Sequence, residues 1–386
     1  MSKYILIISS NRVLERDHKR YGVKYLKKKK KVIILDLSSL INHRSTLIYK
    51  KFVNKDIIAI SKYKDLINLL KNKKFSYAID YMGHSVQEVF IKFILVYFNI
   101  KIIRYLPAIV PPLSYNHIDQ NNKIFKTDQR SLIKKFYDIP NVVFSFIKRQ
   151  IINAVNYYSI NIVVLTSKNT DKHNFIINNI KKKIYSHVFD YNTYLELKKK
   201  NKKVKKSENY IVYIDEHLSS HPDYFIGKNK PVADKNFYLK INKFFIEIKK
   251  KYKINIKIAL HPKNNHKINL FTDKKNCYIG KTAELIKESK HILIHSSAAV
   301  SFAVLYKKPM TFLTTGSLNN LRIGAKITKY SKVLKSQLIN MDNYKKNFSI
   351  KRNFDKNAYA DYLNQYIKHP KSTKENTWVH LLKNIY

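Results

Sequence analysis

The sequence predicts an α/β protein with two doubly wound parallel sheets, and two observations support this prediction. Strand-like and helix-like segments alternate through the first half of the chain, and a second alternation begins after a charged stretch at residues 195–208. Such alternation is typical of parallel sheets that carry helices on both faces. At 386 residues, the chain is also long enough for two domains of ordinary size.

The first domain is predicted to span residues 1–194. Its strand-like runs are apolar, and helical periodicity marks several of the segments between them. A long amphipathic run at residues 130–158 is interrupted near Pro140. The predicted strands are Tyr4–Ser10, Val32–Leu37, Ile57–Ile60, Tyr77–Tyr81, Ile100–Leu106 and Ile162–Thr166, and the predicted helices are Lys64–Asn72 and Val86–Phe98.

Residues 195–208, LELKKKNKKVKKSE, separate the two alternations. This stretch is highly charged and almost free of apolar residues, so it cannot contribute to a core. We interpret it as an inter-domain linker. The alternative is an exposed extension of a helix, because Lys and Leu are both well tolerated in helices.

The second domain is predicted at residues 209–350. The remaining segment, 351–386, is predicted to contain helices and is a candidate to pack back on the first domain. In the second domain, the predicted strands are Tyr210–Glu216, Ile254–Leu260, His291–Ile294 and Met310–Leu313, and the predicted helices are Asn236–Tyr252, Thr282–Ser289 and Ala298–Tyr306.

The formal net charge is +49, from 75 basic and 26 acidic residues. Only nine of the basic residues are Arg, and the Lys residues are spread along the whole chain. Sequence-specific nucleic-acid binding depends on Arg forks and a localised patch, so this pattern weighs against nucleic acid as a specific partner. Anionic lipid of the inner membrane is a better candidate, at up to ~1 kcal/mol for each well-placed Lys.

A single cysteine, Cys277, excludes an internal disulfide and favours a reducing compartment. Residues 1–10 have too short an apolar run for a signal peptide. The longest apolar stretch begins at Val89, is interrupted by Lys92 and is shorter than the ~20 residues that a spanning helix needs. We therefore expect a cytoplasmic protein, attached at most peripherally to the inner membrane face.

Polar residues follow three predicted strands of the second domain: Asp215-Glu216, His261-Pro262 and His295-Ser296-Ser297. Ligands bind at the carboxyl ends of strands in open α/β sheets. If the two domains face each other across a central cleft, these tips line it. Proline cannot continue a central strand, so His261 is expected to stand at a strand tip.

The serine pair is predicted to cap a helix that begins near Ala298, and the free N–H groups there suit a phosphate. A plain cap without a ligand is the alternative. His261, flanked by Lys263, is able to donate a hydrogen bond or a proton to that phosphate, although histidines at strand ends are often only packing residues. An acidic pair such as Asp215-Glu216 offers a base, or is a simple turn.

In the first domain, Gly83 and His84 follow a predicted strand and are candidates to line the acceptor side of the cleft. A histidine at a helix start with a satisfied ring is the alternative for His84. The six glycines form neither a GxGxxG nor a Walker loop, which weighs against Rossmann dinucleotide binding and P-loop chemistry. Neither an Asp-x-Asp pair nor a zinc-like Cys/His cluster occurs, so no metal is expected.

The chain resembles the bacterial GT-B glycosyltransferases that use CMP-activated sugars, namely sialyltransferases, polysialyltransferases and β-Kdo transferases. Those families share an acidic D/E-D/E-G motif, an HP motif and a serine motif in that order, matched here by Asp215-Glu216, His261-Pro262 and Ser296-Ser297. His217 departs from the pattern, because the families have glycine there. The run HILIHSSAAVSFAVLYKKPMTFL also looks like other GT-B enzymes, including polymerases that use CDP-glycerol.

The resemblance implies a GT-B fold and an inverting transfer that needs neither a metal nor a cofactor. Asp215 or Glu216 would take the proton of an acceptor hydroxyl, His261 would assist the departing phosphate, and Ser296-Ser297 would hold it. The donor would be a CMP-linked nonulosonic acid or Kdo-type sugar, and the acceptor a bacterial surface glycan or lipid-linked glycan, bound by the first domain. A UDP-sugar or CDP-glycerol donor and a non-catalytic, polyanion-binding protein are the alternatives.

Overall fold

The computed structural model forms two compact units, each built on one parallel sheet. The first unit takes in the described residues between 4 and 107, those between 146 and 189, and 369–386. The second takes in residue 111 and the described residues of 190–368. The structure describes residues 4–83, 85–107, 111, 146–147, 150–155, 157–172, 180, 182–200, 209–219, 236–262, 270–344 and 348–386.

The first sheet has seven strands in the order β3-β2-β1-β4-β5-β6-β7, and every neighbouring pair is parallel. The order reverses between β1 and β4, which is the switch point of a doubly wound sheet. The strands are β1 (Tyr4–Ser9), β2 (Lys31–Asp36), β3 (Ile57–Ala59), β4 (Phe75–Asp80), β5 (Lys101–Leu106), β6 (Ile160–Leu165) and β7 (Lys182–Tyr185).

Helices cover both faces of this sheet. Apolar residues of α5 and α6 pack on one face, and residues of α2 and α14 pack on the other with the loop residue Val13. Two buried clusters, one on each face, therefore share the same strands. The helices are α1 (Glu15–Arg20), α2 (Val23–Leu26), α3 (Ser38–Ile41), α4 (His43–Ile48), α5 (Tyr63–Asn72), α6 (Val86–Tyr97) and, from the end of the chain, α14 (Thr377–Ile385).

The second sheet has six parallel strands in the order β10-β9-β8-β11-β12-β13. Its switch point lies between β8 and β11. Both central strands are buried along their whole length, which is expected for a parallel sheet with two covered faces. The strands are β8 (Tyr210–Ile214), β9 (Asn255–Leu260), β10 (Cys277–Ile279), β11 (His291–Ile294), β12 (Met310–Thr314) and β13 (Gln337–Asn340).

In the second unit, α8 contacts β9, α9 contacts β8 and β9, and α12 contacts β12 and β13. None of the helices in the described ranges is long and apolar enough to cross a membrane. The helices are α7 (Phe189–Lys200), α8 (Phe237–Tyr252), α9 (Thr282–Glu288), α10 (Val300–Leu305), α11 (Gly316–Asn319), α12 (Arg322–Val333) and α13 (Lys356–Tyr362).

The prediction of two doubly wound parallel sheets is confirmed, and the structure differs from the expected boundaries in detail. The division between the units falls at residues 189 and 190, whereas the sequence suggested residue 194. Residues 195–200, the first part of the expected linker, belong to helix α7, and residues 201–208 lie outside the described part. The C-terminal segment is divided, since 351–368 belongs to the second unit and 369–386 to the first.

Helix α14 is held in the first unit by Trp378, which is 2% exposed. Its indole Nε1 donates a hydrogen bond to the Arg20 carbonyl over 3.0 Å, and its ring stacks near Tyr105. Gly22 lies directly beneath the indole and has a φ of +66°, which disfavours any other residue. A Cβ at this position would come within 2.0 Å of Trp378 Cδ1.

We predict that Gly22→Ala lowers the free energy of unfolding by about 3 kcal/mol, from the clash with Trp378 and the positive φ together. Gly280→Ala is the control, because Gly280 has a φ of +73° and no described atom within 4 Å of an added Cβ. It should cost only about 1 kcal/mol. Urea unfolding measures both, and equal losses would contradict the role given to the indole.

Candidate functional site

The ends of β9, β8 and β11 lie side by side at the carboxyl edge of the second sheet. Ile214 pairs with Ala259 of β9, and Tyr213 pairs with Leu293 of β11. Continuing these registers past the strand ends puts Glu216 level with His261 on one side and with Ser296 on the other. The three motifs of the sequence therefore meet at one edge, across the switch point.

Glu216 and Ser296 make direct contact there. The Ser296 backbone N–H donates to Glu216 Oε1, and the Ser296 hydroxyl donates to Oε2 over 2.9 Å. The Ser297 backbone N–H also donates to this carboxylate. The donors that the sequence assigned to a phosphate are therefore bound by a carboxylate of the protein itself.

The Glu216 side chain is half-buried, and two effects act on its pKa in opposite directions. Burial raises the pKa, whereas the ammonium of Lys326 on α12 and the hydrogen bonds from Ser296 and Ser297 lower it. Burial dominates, and the pKa is raised overall. A carboxylate held this firmly is suited to positioning the Ser296-Ser297 loop.

Asp215, the residue before Glu216, is 2% exposed. Its Oδ1 accepts hydrogen bonds from the His217 backbone N–H over 3.0 Å and from the Tyr238 hydroxyl over 3.1 Å. Its Oδ2 has no hydrogen-bond partner among the described residues. Burial raises the pKa of Asp215 to about 7, which suits a general base at neutral pH.

His217, the position at which the sequence departs from glycine, has a φ of +53°. This is the left-handed region, which glycine adopts without strain and other residues adopt at a cost of about 1–2 kcal/mol. The turn after Asp215 therefore has the backbone conformation that a glycine motif would give, although a histidine occupies it.

His295 is fully buried, and both ring nitrogens are hydrogen-bonded. Nδ1 lies 2.7 Å from the Leu313 carbonyl, which only accepts, so Nδ1 carries the proton. Nε2 then accepts from the Tyr213 hydroxyl over 3.0 Å, and burial lowers the pKa of the ring to about 4. In this geometry His295 is a neutral residue that ties β8, β11 and β12 together, and it has no nitrogen left for a phosphate.

His261 directly follows β9 and is half-buried, and Pro262 after it is exposed. This is the strand-tip position that the proline indicated. Lys263 lies outside the described residues. The predicted cap is wrong, because the N-cap of α10 is Ala299 and the helix begins at Val300. Ser297 Oγ instead accepts from the Ala299 N–H over 3.2 Å, and Ala298 is an exposed turn residue before the helix.

In the first unit, Gly83 follows β4, and His84 lies outside the described residues. The Gly83 N–H donates to Glu88 Oε1 over 2.6 Å, and the Ser85 N–H donates to Oε2 over 2.7 Å. Ser10, after β1, also donates to Glu88. Burial raises the pKa of Glu88, but these hydrogen bonds outweigh burial and lower it. The switch point of the first sheet is thus also bridged by a glutamate.

Sequence reasoning missed Glu88, Tyr238 and Lys326. The run Ser85-Val-Gln-Glu88 carries a detectable signal, since Ser-x-x-Glu before an apolar run is a capping box, and the structure shows that box. Tyr238 and Lys326 come from helices that are distant in sequence from β8. No local pattern could have indicated that they face Asp215 and Glu216.

Comparison with known proteins gives matches in structure. No family model matches the chain, and no curated protein matches it. It is similar to a UDP-GlcNAc 2-epimerase from Methanocaldococcus jannaschii, with a TM-score of 0.52, 12% identity, and coverage of 100% of this chain and 99% of that one. It is also similar to an H548A form of the wall teichoic acid polymerase TagF, with a TM-score of 0.51, 10% identity, and coverage of 99% and 89%. The two sheets and these matches show a GT-B fold.

We predict that His217→Gly unfolds at higher urea than His217→Ala, with a difference of about 1 kcal/mol, because both remove the imidazole and only alanine retains the strain of a positive φ. Lys287 in helix α9 is the control position. There the order should reverse, and the alanine variant should be about 1 kcal/mol more stable than the glycine variant. The same order at both positions would contradict the left-handed turn.

We predict a pH-dependent difference between the wild type and Asp215→Asn. The folded pKa of about 7 lies above the ordinary value of 3.8, so the stability contributed by protonated Asp215 is present below about pH 4 and lost as the pH rises through 7. Asparagine keeps the Oδ1 acceptor without that loss. The free energy of unfolding of the variant should therefore rise relative to that of the wild type by up to about 4 kcal/mol between pH 4 and 8.

Asp273→Asn is the control for this experiment. The ion pair with Lys249 lowers the pKa of Asp273, so its stabilising effect is present at neutral pH and lost as the pH falls through the folded pKa. The difference between this variant and the wild type should change with pH in the opposite direction. A pH-independent difference for Asp215→Asn would contradict the burial of that carboxyl.

Proposed function

We propose that this protein is a glycosyltransferase that transfers a sugar from a nucleotide donor bound at the carboxyl edge of the second sheet. The observation that carries the proposal is the Glu216–Ser296 contact, because it brings an acid and a hydroxyl pair to the switch point, with His261 at the end of the neighbouring strand β9. This is the place where open α/β sheets bind nucleotides. The GT-B fold supports the same assignment.

In the proposed reaction, an acceptor hydroxyl oxygen forms a bond to the anomeric carbon while the bond from that carbon to the donor phosphate oxygen breaks. Asp215 Oδ2 takes the hydroxyl proton, and the electron pair leaves with the phosphate. His261 donates to the departing phosphate oxygen, and Ser297 helps to hold it. We assign the base to Asp215, since both oxygens of Glu216 are bound by Ser296. Glu216 is then a positioning residue.

For the donor, we favour a CMP-linked nonulosonic acid or Kdo-type sugar, transferred with inversion and without a metal or cofactor. The order of the acidic, HP and serine motifs supports this choice. The alternative donor is a UDP-sugar or CDP-glycerol, and the UDP-GlcNAc 2-epimerase match makes the UDP-sugar a serious competitor. The acceptor in either case is a surface glycan or a lipid-linked glycan. A non-catalytic, polyanion-binding protein is the remaining alternative.

We predict that CMP raises the melting temperature more than UDP or CDP does, and that His261→Ala and Ser297→Ala reduce the CMP shift by at least half, because each removes a phosphate contact. His43→Ala, an exposed histidine of α4, is the control and should keep the full shift. Thermal unfolding with each nucleotide measures the effect.

Each outcome of this titration has a distinct meaning. Stabilisation by UDP alone would overturn the CMP assignment and leave the site intact. An equal change in melting temperature on adding CMP for His261→Ala and the wild type would contradict the placement of the phosphate beside His261. No shift with any of the three nucleotides, combined with salt-sensitive binding of polyanions, would favour the non-catalytic alternative.

A further inference from the structure

Helix α6 carries apolar side chains on most of its outer surface, and Gln87 is its exposed polar residue. Four of its residues recur at intervals of four, three and four, and they lie in one stripe along the helix. Ordinary surface helices turn charged side chains outward, and a helix that is apolar on every side is found inside proteins or against lipid. We call these four outward-facing residues the apolar stripe: Val86, Phe90, Phe93 and Tyr97, exposed by 58%, 50%, 53% and 84%.

The two charged residues of α6 face inward. Lys92 is fully buried and lies 3.4 Å from Asp80 Oδ2, to which Arg104 also donates over 2.7 Å. Glu88 is 6% exposed and binds the Gly83 and Ser85 backbone. Because Lys92 is paired inside the unit and Glu88 binds backbone N–H groups, the outer surface of the helix carries no charge.

A groove of about 370 Å³ runs beside the stripe, between α5 and α6. Phe93 and Tyr97 form one wall, and Ile67 and Lys71 of α5 form the other. Tyr63, at the opposite end of α5, packs edge-on against Phe90 at 5.2 Å. The apolar surface therefore extends from α6 onto α5, with an exposed lysine at its border.

A second, strongly cationic concavity of about 1010 Å³ lies at the amino edge of the first sheet. Asp56 is the single acidic residue among its described lining residues, and it is paired with Lys27 over 2.7 Å and with His18 over 3.2 Å. The end of helix α5 connects this concavity to the groove, since Lys71 in its last turn borders the groove and Lys73, directly after the helix, borders the concavity. We call its lysines the lysine basin: Lys27, Lys28, Lys29, Lys30, Lys31, Lys55 and Lys73.

We propose that the apolar stripe and the lysine basin together dock the first unit on an anionic lipid bilayer. Interfacial binding uses both components, apolar side chains that enter the acyl boundary and lysines that meet anionic headgroups. The net charge of +49 adds long-range attraction to such a surface. A soluble polyanion would need the basin alone, and a second copy of this chain would carry the same positive charge. The proposal is independent of the transfer reaction.

The test is cosedimentation of the full chain with vesicles of phosphatidylcholine alone and of phosphatidylcholine mixed with phosphatidylglycerol. We expect binding only to the anionic vesicles, weakened by salt. Phe90→Ser/Phe93→Ser and, separately, Lys28→Gln/Lys29→Gln/Lys55→Gln should each reduce partitioning about tenfold or more. These side chains are all exposed, so the fold should persist, and circular dichroism and the melting temperature verify it.

Matched controls come from the second unit. Leu239→Ser/Ile246→Ser removes two apolar residues of α8 that are 60% and 46% exposed. Lys198→Gln/Lys199→Gln/Lys200→Gln removes the same charge from exposed positions of α7. Both should leave vesicle binding within about twofold of the wild type. The lysine control removes only three of the net charges, which is a small change in the electrostatic field of the whole protein.

Three results would overturn the proposal. Equal losses for test and control variants would mean that total charge alone drives binding. A loss with the lysine variant and none with the phenylalanine variant would mean a purely electrostatic site, as for a soluble polyanion. Self-association in sedimentation velocity that disappears in Phe90→Ser/Phe93→Ser, without vesicle binding, would mean that the stripe contacts a second copy.

Discussion

The contact between Glu216 and Ser296 is the constraint on which the candidate site depends. It joins the ends of β8 and β11 where the strand order reverses, and neighbouring strands leave a crevice at such a point. Glu216 is followed by the left-handed turn at His217, and Asp215 before it contacts Tyr238 on α8. Burial of that carboxyl, rather than a nearby charge, then gives it a pKa near neutrality.

In the first unit, Glu88 bridges the switch point of the sheet as Glu216 does in the second unit. Glu88 reaches back from the first turn of α6 and accepts hydrogen bonds from Gly83, Ser85 and Ser10. Both switch points therefore present backbone N–H groups that an anion can satisfy, and in both a glutamate does so. The first unit also contains a buried set of charges, in which Asp80 lies between Lys92 and Arg104. The pairing of Lys92 and the binding of Glu88 to backbone N–H groups leave the outer surface of α6 without charge.

The sequence was informative where local patterns determine structure. Alternating apolar runs predicted the parallel sheets, and Pro262 predicted that β9 ends before His261. Short strands such as β7 and β13 were missed, because four residues with exposed or half-buried positions leave no clear apolar run. The cap of α10 was predicted at the serines, but Glu216 binds Ser296 and the chain makes another turn before the helix begins. A contact between distant segments therefore determined where α10 begins.

The central claim is that a nucleotide phosphate binds at the carboxyl edge of the second sheet, beside the Glu216–Ser296 contact. The most direct measurement is a crystal structure of the chain with CMP. The account predicts the phosphate within hydrogen-bond distance of the His261 ring and the Ser297 hydroxyl, with the base in the same crevice. A nucleotide bound in the lysine basin, or with its phosphate away from both side chains, would contradict the account.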